Sequence, residues 1–259
     1  LMKKNSVMQI PIISKQRKIE GLYVLKEFEQ KLKKIHTNTV VIMAGGFGKR
    51  LFPYTKKIPK PMLKIAGKPI IEHIIDIVKF QGFRNIVLCL HYKKETFKRY
   101  FKNKKFSNVK ITFVEEKKPM GTAGALSLIK KENSDPIIVL NGDLIFDFEL
   151  ENLLKFHKKQ KADAAILVKT HDIQNPYGVV KSKNNLVTKF TEKPIYQSNI
   201  NMGIYSLNSS ILKFIPKTKK ISMIDFLKKI ISNKKKVFAY NTKDSWKDIG
   251  SMEQYSKYL

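Results

Sequence analysis

The chain has 259 residues with 42% hydrophobic content, enough for one large α/β domain with a sizeable core, which excludes global disorder. Its formal net charge of +30 favours polyanionic ligands, but only four of its 51 basic residues are arginine (Arg17, Arg50, Arg84, Arg99). Base readers prefer the planar guanidinium, so this lysine excess argues against dedicated nucleic-acid binding. A single cysteine, Cys89, excludes a disulfide framework and a cysteine-rich zinc site, and its place in "NIVLCL" predicts a buried structural thiol. No stretch approaches the roughly 18 to 20 apolar residues that span a membrane, and the N-terminus lacks a signal-peptide core. A cytoplasmic location without a membrane partner is therefore expected.

In chain order, the first residues read as the end of a helix, a strand at 9–14, a turn, a second strand at 21–25 and a helix. Two short strands and a helix cannot bury a core alone. The proline-led "IPII", the polar turn and "GLYVL" resemble the closing half of a CBS domain. That resemblance implies a C-terminal CBS remnant plus linker over 1–35, with an upstream CBS pair outside this chain. An N-terminal arm packed on the main domain is the other reading.

From residue 38 to 259 apolar runs alternate with amphipathic helices, predicting an α/β fold: a Rossmann-like, three-layer α/β/α domain with a mostly parallel central sheet. Predicted strands span 39–44, 85–90, 110–114, 136–141, 164–169, 179–181, 186–191 and 200–207. Predicted helices span 68–81, 95–101, 122–130, 149–160 and 223–231. The segment "HYKKETFKRYFKNKKF" mixes aromatics with lysines, yet Phe97, Tyr100 and Phe101 fall at three- and four-residue spacing, which predicts a core-facing stripe.

The first strand runs into "AGGFGKRLFPYTKKIPKPML". This glycine spacing fits neither the dinucleotide fingerprint, since Leu51 stands where a third glycine is needed, nor the P-loop, since Arg50 follows Lys49. Gly45, Gly46 and Gly48 still let a backbone approach a ligand with its N–H groups exposed. Arg50 and Lys60 add positive charge to the same loop, as a nucleoside triphosphate under attack requires. "IIVLNGDLIF" ends a buried strand with Asp143, and "SWKDIG" supplies Asp248 far along the chain. Magnesium takes one or two carboxylates plus phosphate oxygens and water, so this pair is the candidate metal site.

Taken together, "MAGGFGKRLFPYTKKIPKPMLKIAGKPIIEHII", "LNGD", "FTEKP", "INMGIY" and "WKDIG" resemble, in that order, the signature of the sugar-1-phosphate nucleotidyltransferases, over about residues 39–255. Lys49 departs from the small hydroxyl residue usual in that family, and Met202 from a common alanine. The resemblance implies the nucleotide-diphospho-sugar transferase fold, with Arg50 and Lys60 on the triphosphate and Lys193 on the sugar phosphate. Glu192, Asn201 and the backbone at Gly178 would hold the sugar, and Asp143 with Asp248 would hold Mg2+. Ala44, Gly45, Gly46 and Gly48, with Gly121 and Thr122 of "VEEKKPMGTAGAL", would line the nucleotide site.

That last run resembles family members that use guanine, whose N1–H and N2–H₂ donors one carboxylate accepts together. Glu116 is the candidate acceptor, with Glu115 behind it. GTP and a sugar-1-phosphate are thus the expected substrates. Glucosamine-1-phosphate is the sugar that the CBS resemblance implies, through guanylyltransferases of legionaminic acid synthesis. Mannose- and heptose-1-phosphate are its rivals, phosphocholine with CTP is more distant, and a non-catalytic sugar-nucleotide-binding regulatory relative is the alternative of another class.

Overall fold

Period-two burial explains the centre of the fold. In strand β1 (His36–Met43), Val40 and Ile42 face one apolar layer and Val41 the other, and all three are fully buried. Ile86 and Leu88 against Val87 and Cys89 repeat that alternation in β2 (Phe83–Leu90), as do Ile138 and Leu140 against Ile137 and Val139 in β4 (Ile137–Asn141). Strands buried on both faces need helices on both sides, which makes three layers. The computed structural model describes residues 9–14, 18–24, 34–104, 106–129, 136–217 and 219–257.

Four further strands complete the seven-stranded sheet: β3 (Lys110–Glu115), β5 (Ala164–Gln174), β6 (Ile195–Leu207) and β7 (Val237–Asn241), in the order β7-β5-β6-β4-β1-β2-β3. Only β6 runs antiparallel to its neighbours; the other pairings are parallel. One face is covered by α1 (Ile70–Phe80), α2 (Lys94–Lys102) and α3 (Leu150–Lys159). The other carries the short helical segments within 121–128 and α4 (Met223–Ser232). Phe97 is fully buried and Tyr100 and Phe101 pack on the same core, so the aromatic stripe of α2 is structural. The Cys89 thiol is buried as well, and burial pushes its pKa far up. Among the described residues no helix is long and apolar enough to cross a membrane.

Several elements differ from expectation, and β7 (Val237–Asn241) was not among the predicted strands. The helix expected at 122–130 is a single α-turn, Gly121–Gly124, followed by a 3-10 turn, Ala125–Leu128, and residue 130 lies outside the described residues. Gly121 and Gly124 weaken that helix, and Gly121 has φ +82°. Strands β5 and β6 run further than their apolar cores, because their exposed ends pair with each other from Lys169↔Ile200 to Gln174↔Ile195. At the N-terminus, strands Gln9–Ile13 and Ile19–Val24 pair antiparallel as a separate two-stranded sheet. The helix expected after 25 lies outside the described residues.

A short antiparallel pair beyond the main sheet matters most for the site. Trp246–Asp248 lies against Leu144–Phe146, with Asp248 opposite Leu144. The Trp246 indole N–H donates to the Met202 carbonyl at 2.8 Å and so ties this pair to β6. Trp246→Phe should therefore lower unfolding free energy by about 1 to 2 kcal/mol, the scale of a partly buried hydrogen bond. Urea denaturation checks this, and an unchanged midpoint would remove Trp246 as the anchor.

Candidate functional site

The sheet order changes direction between β1 and β4: β2 and β3 follow on one side of β1, β4 on the other. In open α/β sheets such a switch point leaves a crevice outside the strands' C-terminal ends. Here it is a cleft of about 470 Å³. The backbone must come close to build it. Gly142 donates its N–H to the Met43 carbonyl at 3.0 Å, and a Cβ at 142 would lie 2.7 Å from that same oxygen. Gly48 has φ +65°, and the Thr55 hydroxyl donates to its carbonyl at 2.8 Å.

The charged end of the cleft is assembled from distant parts of the chain. Asp143 stands two residues past the end of β4, and Asp248 closes the Trp246–Asp248 strand; the Ile249 N–H donates to the Asp143 carbonyl at 3.0 Å. Lys60 lies on a 3-10 turn, Lys60–Met62, held by buried Pro61 and Met62. Its ammonium pairs with the Asp143 carboxylate and stands 3.9 Å from Asp248 Oδ1. Burial first, and Asp143 second, push the Asp248 pKa up, against the pull of Lys60 and Arg50. Asp143 Oδ1 and Asp248 Oδ1 are buried without a hydrogen-bond partner. Two hard oxygen donors left unpaired beside a cation are a donor set that fits a hard divalent metal. Among the described residues no group of three or more His, Cys, Asp or Glu side chains could hold a metal.

Glu116 lines the same cleft. It is 5% exposed, its Oε2 accepts from the Met120 N–H at 2.7 Å, and a Cβ on Gly45 would come within 2.5 Å of Oε1. The His91 Nδ1–H donates to the Glu116 carbonyl at 3.1 Å. Burial raises the Glu116 pKa, and the Met120 amide and His91 only partly offset it. Glu115 points elsewhere, paired with Lys94 at 2.7 Å and Lys98 at 2.6 Å on α2. The two adjacent glutamates are thereby told apart.

Ala44, Gly45, Gly46, Gly48, Arg50 and Lys60 all line this cleft, as do Glu116, Gly121, Thr122, Asp143 and Asp248. Gly178, Glu192, Lys193 and Asn201 do not. Glu192 Oε2 would lie 2.9 Å from a Cβ on Gly178, at the foot of the exposed ribbon Val179–Lys183 and Leu186–Thr191. Lys193 is exposed with φ +43°. The Asn201 amide is used internally: it donates to the Tyr205 hydroxyl at 2.8 Å and accepts from the Gly203 N–H at 2.9 Å.

Lys220 also lines the cleft, and nothing in "KTKKIS" separates it from its neighbouring lysines. It arrives by tertiary pairing: the Ile221 N–H donates to the Met120 carbonyl at 2.9 Å, and the Ala123 N–H to the Ile221 carbonyl at 3.2 Å. Thr122 completes the junction, its hydroxyl accepting from the Met223 N–H at 2.8 Å at the start of α4.

A glycine loop, two cations and two carboxylates meet at the switch point of such a sheet, a lining suited to a polyanion. Residues 39–258 match the family model described as Nucleotidyl transferase, and the chain belongs to that family. It is 35% identical over 224 residues to the mannose-1-phosphate guanyltransferase of Pichia angusta, covering 83% of this chain and 61% of that one. It is 37% identical over 225 residues to mannose-1-phosphate guanylyltransferase 1 of Arabidopsis thaliana, covering 83% of this chain and 62% of that one. The chain thus spans less than two thirds of the length of these relatives. The solved structure of HddC from Yersinia pseudotuberculosis complexed with GMP-PN superposes with a TM-score of 0.67 at 29% identity, covering 86% of this chain and 98% of that one.

The buried Glu116 carboxylate has a consequence for stability. Its folded-state pKa is raised, so the folded chain holds the proton more tightly than the unfolded one. The stability this contributes is full below the ordinary glutamate pKa and is lost as pH rises through the raised value. Glu116→Gln removes that dependence. Urea midpoints across the acid-to-neutral range should show wild type losing ground to the variant as pH rises, then a constant gap. A gap that is flat or opens toward acid would contradict the assignment.

Proposed function

We propose that this chain carries the catalytic domain of a sugar-1-phosphate guanylyltransferase, joining GTP and a sugar-1-phosphate into a GDP-sugar with release of pyrophosphate. The observation that carries the reading is the convergence of Arg50, Lys60, Asp143 and Asp248 with the glycine loop and buried Glu116 on one cleft. Family membership supports nucleotidyl transfer. The relatives' names and the GMP-PN complex of HddC support guanine.

The nucleophile is already an anionic phosphate oxygen, so no general base is needed. It attacks the α-phosphorus, a new P–O bond forms, the bond to the β-phosphate oxygen breaks, and pyrophosphate leaves. The task is to hold two polyanions in line and to stabilise charge on the departing group. Arg50 and Lys60 serve the triphosphate, and Lys193 grips the sugar phosphate beside Glu192, Asn201 and Gly178. Asp143 and Asp248 would hold Mg2+, which supplies charge neutralisation at the phosphates when bound. Glu116 accepts from guanine N1–H and N2–H₂. Residues 1–35 are read as the end of a CBS domain, from their sequence alone.

The sugar has two candidates with separate support. Mannose-1-phosphate is favoured by the relatives' names, and glucosamine-1-phosphate by the N-terminal resemblance. Pyrophosphate release across a panel of sugar-1-phosphates and nucleoside triphosphates tests the proposal. GTP with one hexose-1-phosphate should lead, and a best rate with UTP, dTTP or CTP, or none at all, would refute it. Asp143→Asn and Asp248→Asn should each lower turnover by about a hundredfold or more, since each takes charge from the metal site. Near-normal turnover of either at saturating Mg2+ would rule out the two-carboxylate site. Lys193→Ala should raise the KM for the sugar phosphate with little change for GTP, whereas Arg50→Ala should depress kcat with both substrates saturating. Reversed phenotypes would exchange their roles.

A further inference from the structure

We propose that Lys220 donates to the 6-carbonyl of the base, so that guanine is read from both ends of its hydrogen-bonding edge, by Glu116 at the donors and by Lys220 at the acceptor. This rests on the GTP reading above and deepens it.

One carboxylate satisfies the two donors of that edge and leaves its acceptor. Guanine presents O6 as an acceptor beside the N1–H and N2–H₂ donors, and an acceptor left unpaired in a partly closed cleft costs binding energy. Pro119 has no N–H and the Met120 N–H is already given to Glu116 Oε2 at 2.7 Å. The Thr122 hydroxyl, which accepts from the Met223 N–H at 2.8 Å, keeps its own proton to donate but is neutral, and a charged donor makes the stronger bond to a carbonyl. Lys220 is different. Its stem runs along Gly121, where an added Cβ would meet Lys220 Cγ at 3.2 Å, so the missing side chain at 121 opens its path to the cleft. The paired backbones of 120–123 and 221 hold it on the same wall as Glu116.

Lys220 is also uncommitted. Among the described residues Lys60 is paired with Asp143, and Lys94 and Lys98 with Glu115, whereas Lys220 has no carboxylate partner. An uncommitted ammonium and a buried carboxylate lining one cleft present a plus–minus pattern complementary to the carbonyl and amino ends of guanine. Adenine reverses that pattern, setting its 6-amino group against the ammonium and its N1 lone pair against the carboxylate, so both groups reject it.

Three donors separate the two contacts. GTP offers the whole edge, 6-thio-GTP keeps the N–H donors but has a weak acceptor at position 6, and ITP keeps O6 and N1–H but lacks the 2-amino group. Lys220→Met should lower kcat/KM for GTP about tenfold and bring GTP and 6-thio-GTP near parity, with the GTP-to-ITP ratio unchanged. Lys220→Arg, which keeps a donor, should retain the GTP preference over 6-thio-GTP. Glu116→Gln should show the converse, shrinking the GTP-to-ITP ratio. An equal loss with all three nucleotides in Lys220→Met, or no loss at all, would overturn the assignment, the former marking a phosphate contact. Failure of wild type to prefer GTP would instead refute the functional reading beneath it.

Discussion

Two carboxylates and one ammonium, gathered out of full contact with water, set the terms for everything around them. Asp143 and Asp248 carry like charge, and Asp143 helps to raise the Asp248 pKa. Among the described residues Lys60 alone pairs with one and reaches 3.9 Å from the other. Repulsion between partly buried like charges grows as the effective dielectric falls, so the arrangement survives only on a rigid frame. That frame is the pairing of Leu144–Phe146 with Trp246–Asp248, the Trp246 anchor on β6 and the buried turn that carries Lys60. Gly250 takes part as well, since a Cβ there would lie 3.1 Å from both Asp248 carboxylate oxygens.

The sheet supplies what the cluster needs on its other side. The switch between β1 and β4 puts the glycine loop next to Asp143, and Gly142 lets the two strand ends touch at backbone distance. The resulting cleft is lined by the Lys60, Asp143 and Asp248 cluster and by Glu116, Met120, Gly121 and Lys220, the groups that the proposal above assigns to phosphates and base. Charge separation along one cleft is what a nucleotide demands, because its phosphates and its base call for opposite environments. The +30 net charge of the chain adds a field that draws polyanions toward it.

Much of this was legible in the residues. Apolar runs of the right length marked six of the seven sheet strands, most strongly those buried on both faces, whereas the half-exposed edge strand β7 (Val237–Asn241) was not among the predicted strands. The cleft residues near the strand ends, from Ala44 to Lys60 and at Asp143, were readable from local pattern. Asp248 was readable only through its motif, since a ribbon pairing brings it to Asp143 across about a hundred residues. The sequence ranks Glu116 ahead of Glu115, and the structure supplies the physical separation, since strand alternation sends Glu115 to the lysines of α2 and Glu116 to the cleft. Lys220 left no local trace, and its place depends on backbone pairing with residues 120–123. The sugar-side residues stay outside the cleft walls: Asn201 is bonded within its own strand, and Gly178, Glu192 and Lys193 sit at the foot of an exposed ribbon.

The central claim is that Asp143 and Asp248 form a cation site and do more than hold Lys60. Thermal unfolding of the chain, titrated with Mg2+ in the presence and absence of GTP, tests it most directly. Ligand that binds only the folded state raises Tm with concentration. The account predicts a Mg2+-dependent rise in Tm for wild type, larger with GTP, that is abolished in the doubly substituted Asp143→Asn, Asp248→Asn chain. A wild-type Tm indifferent to Mg2+, or an equal rise in the doubly substituted chain, would contradict it.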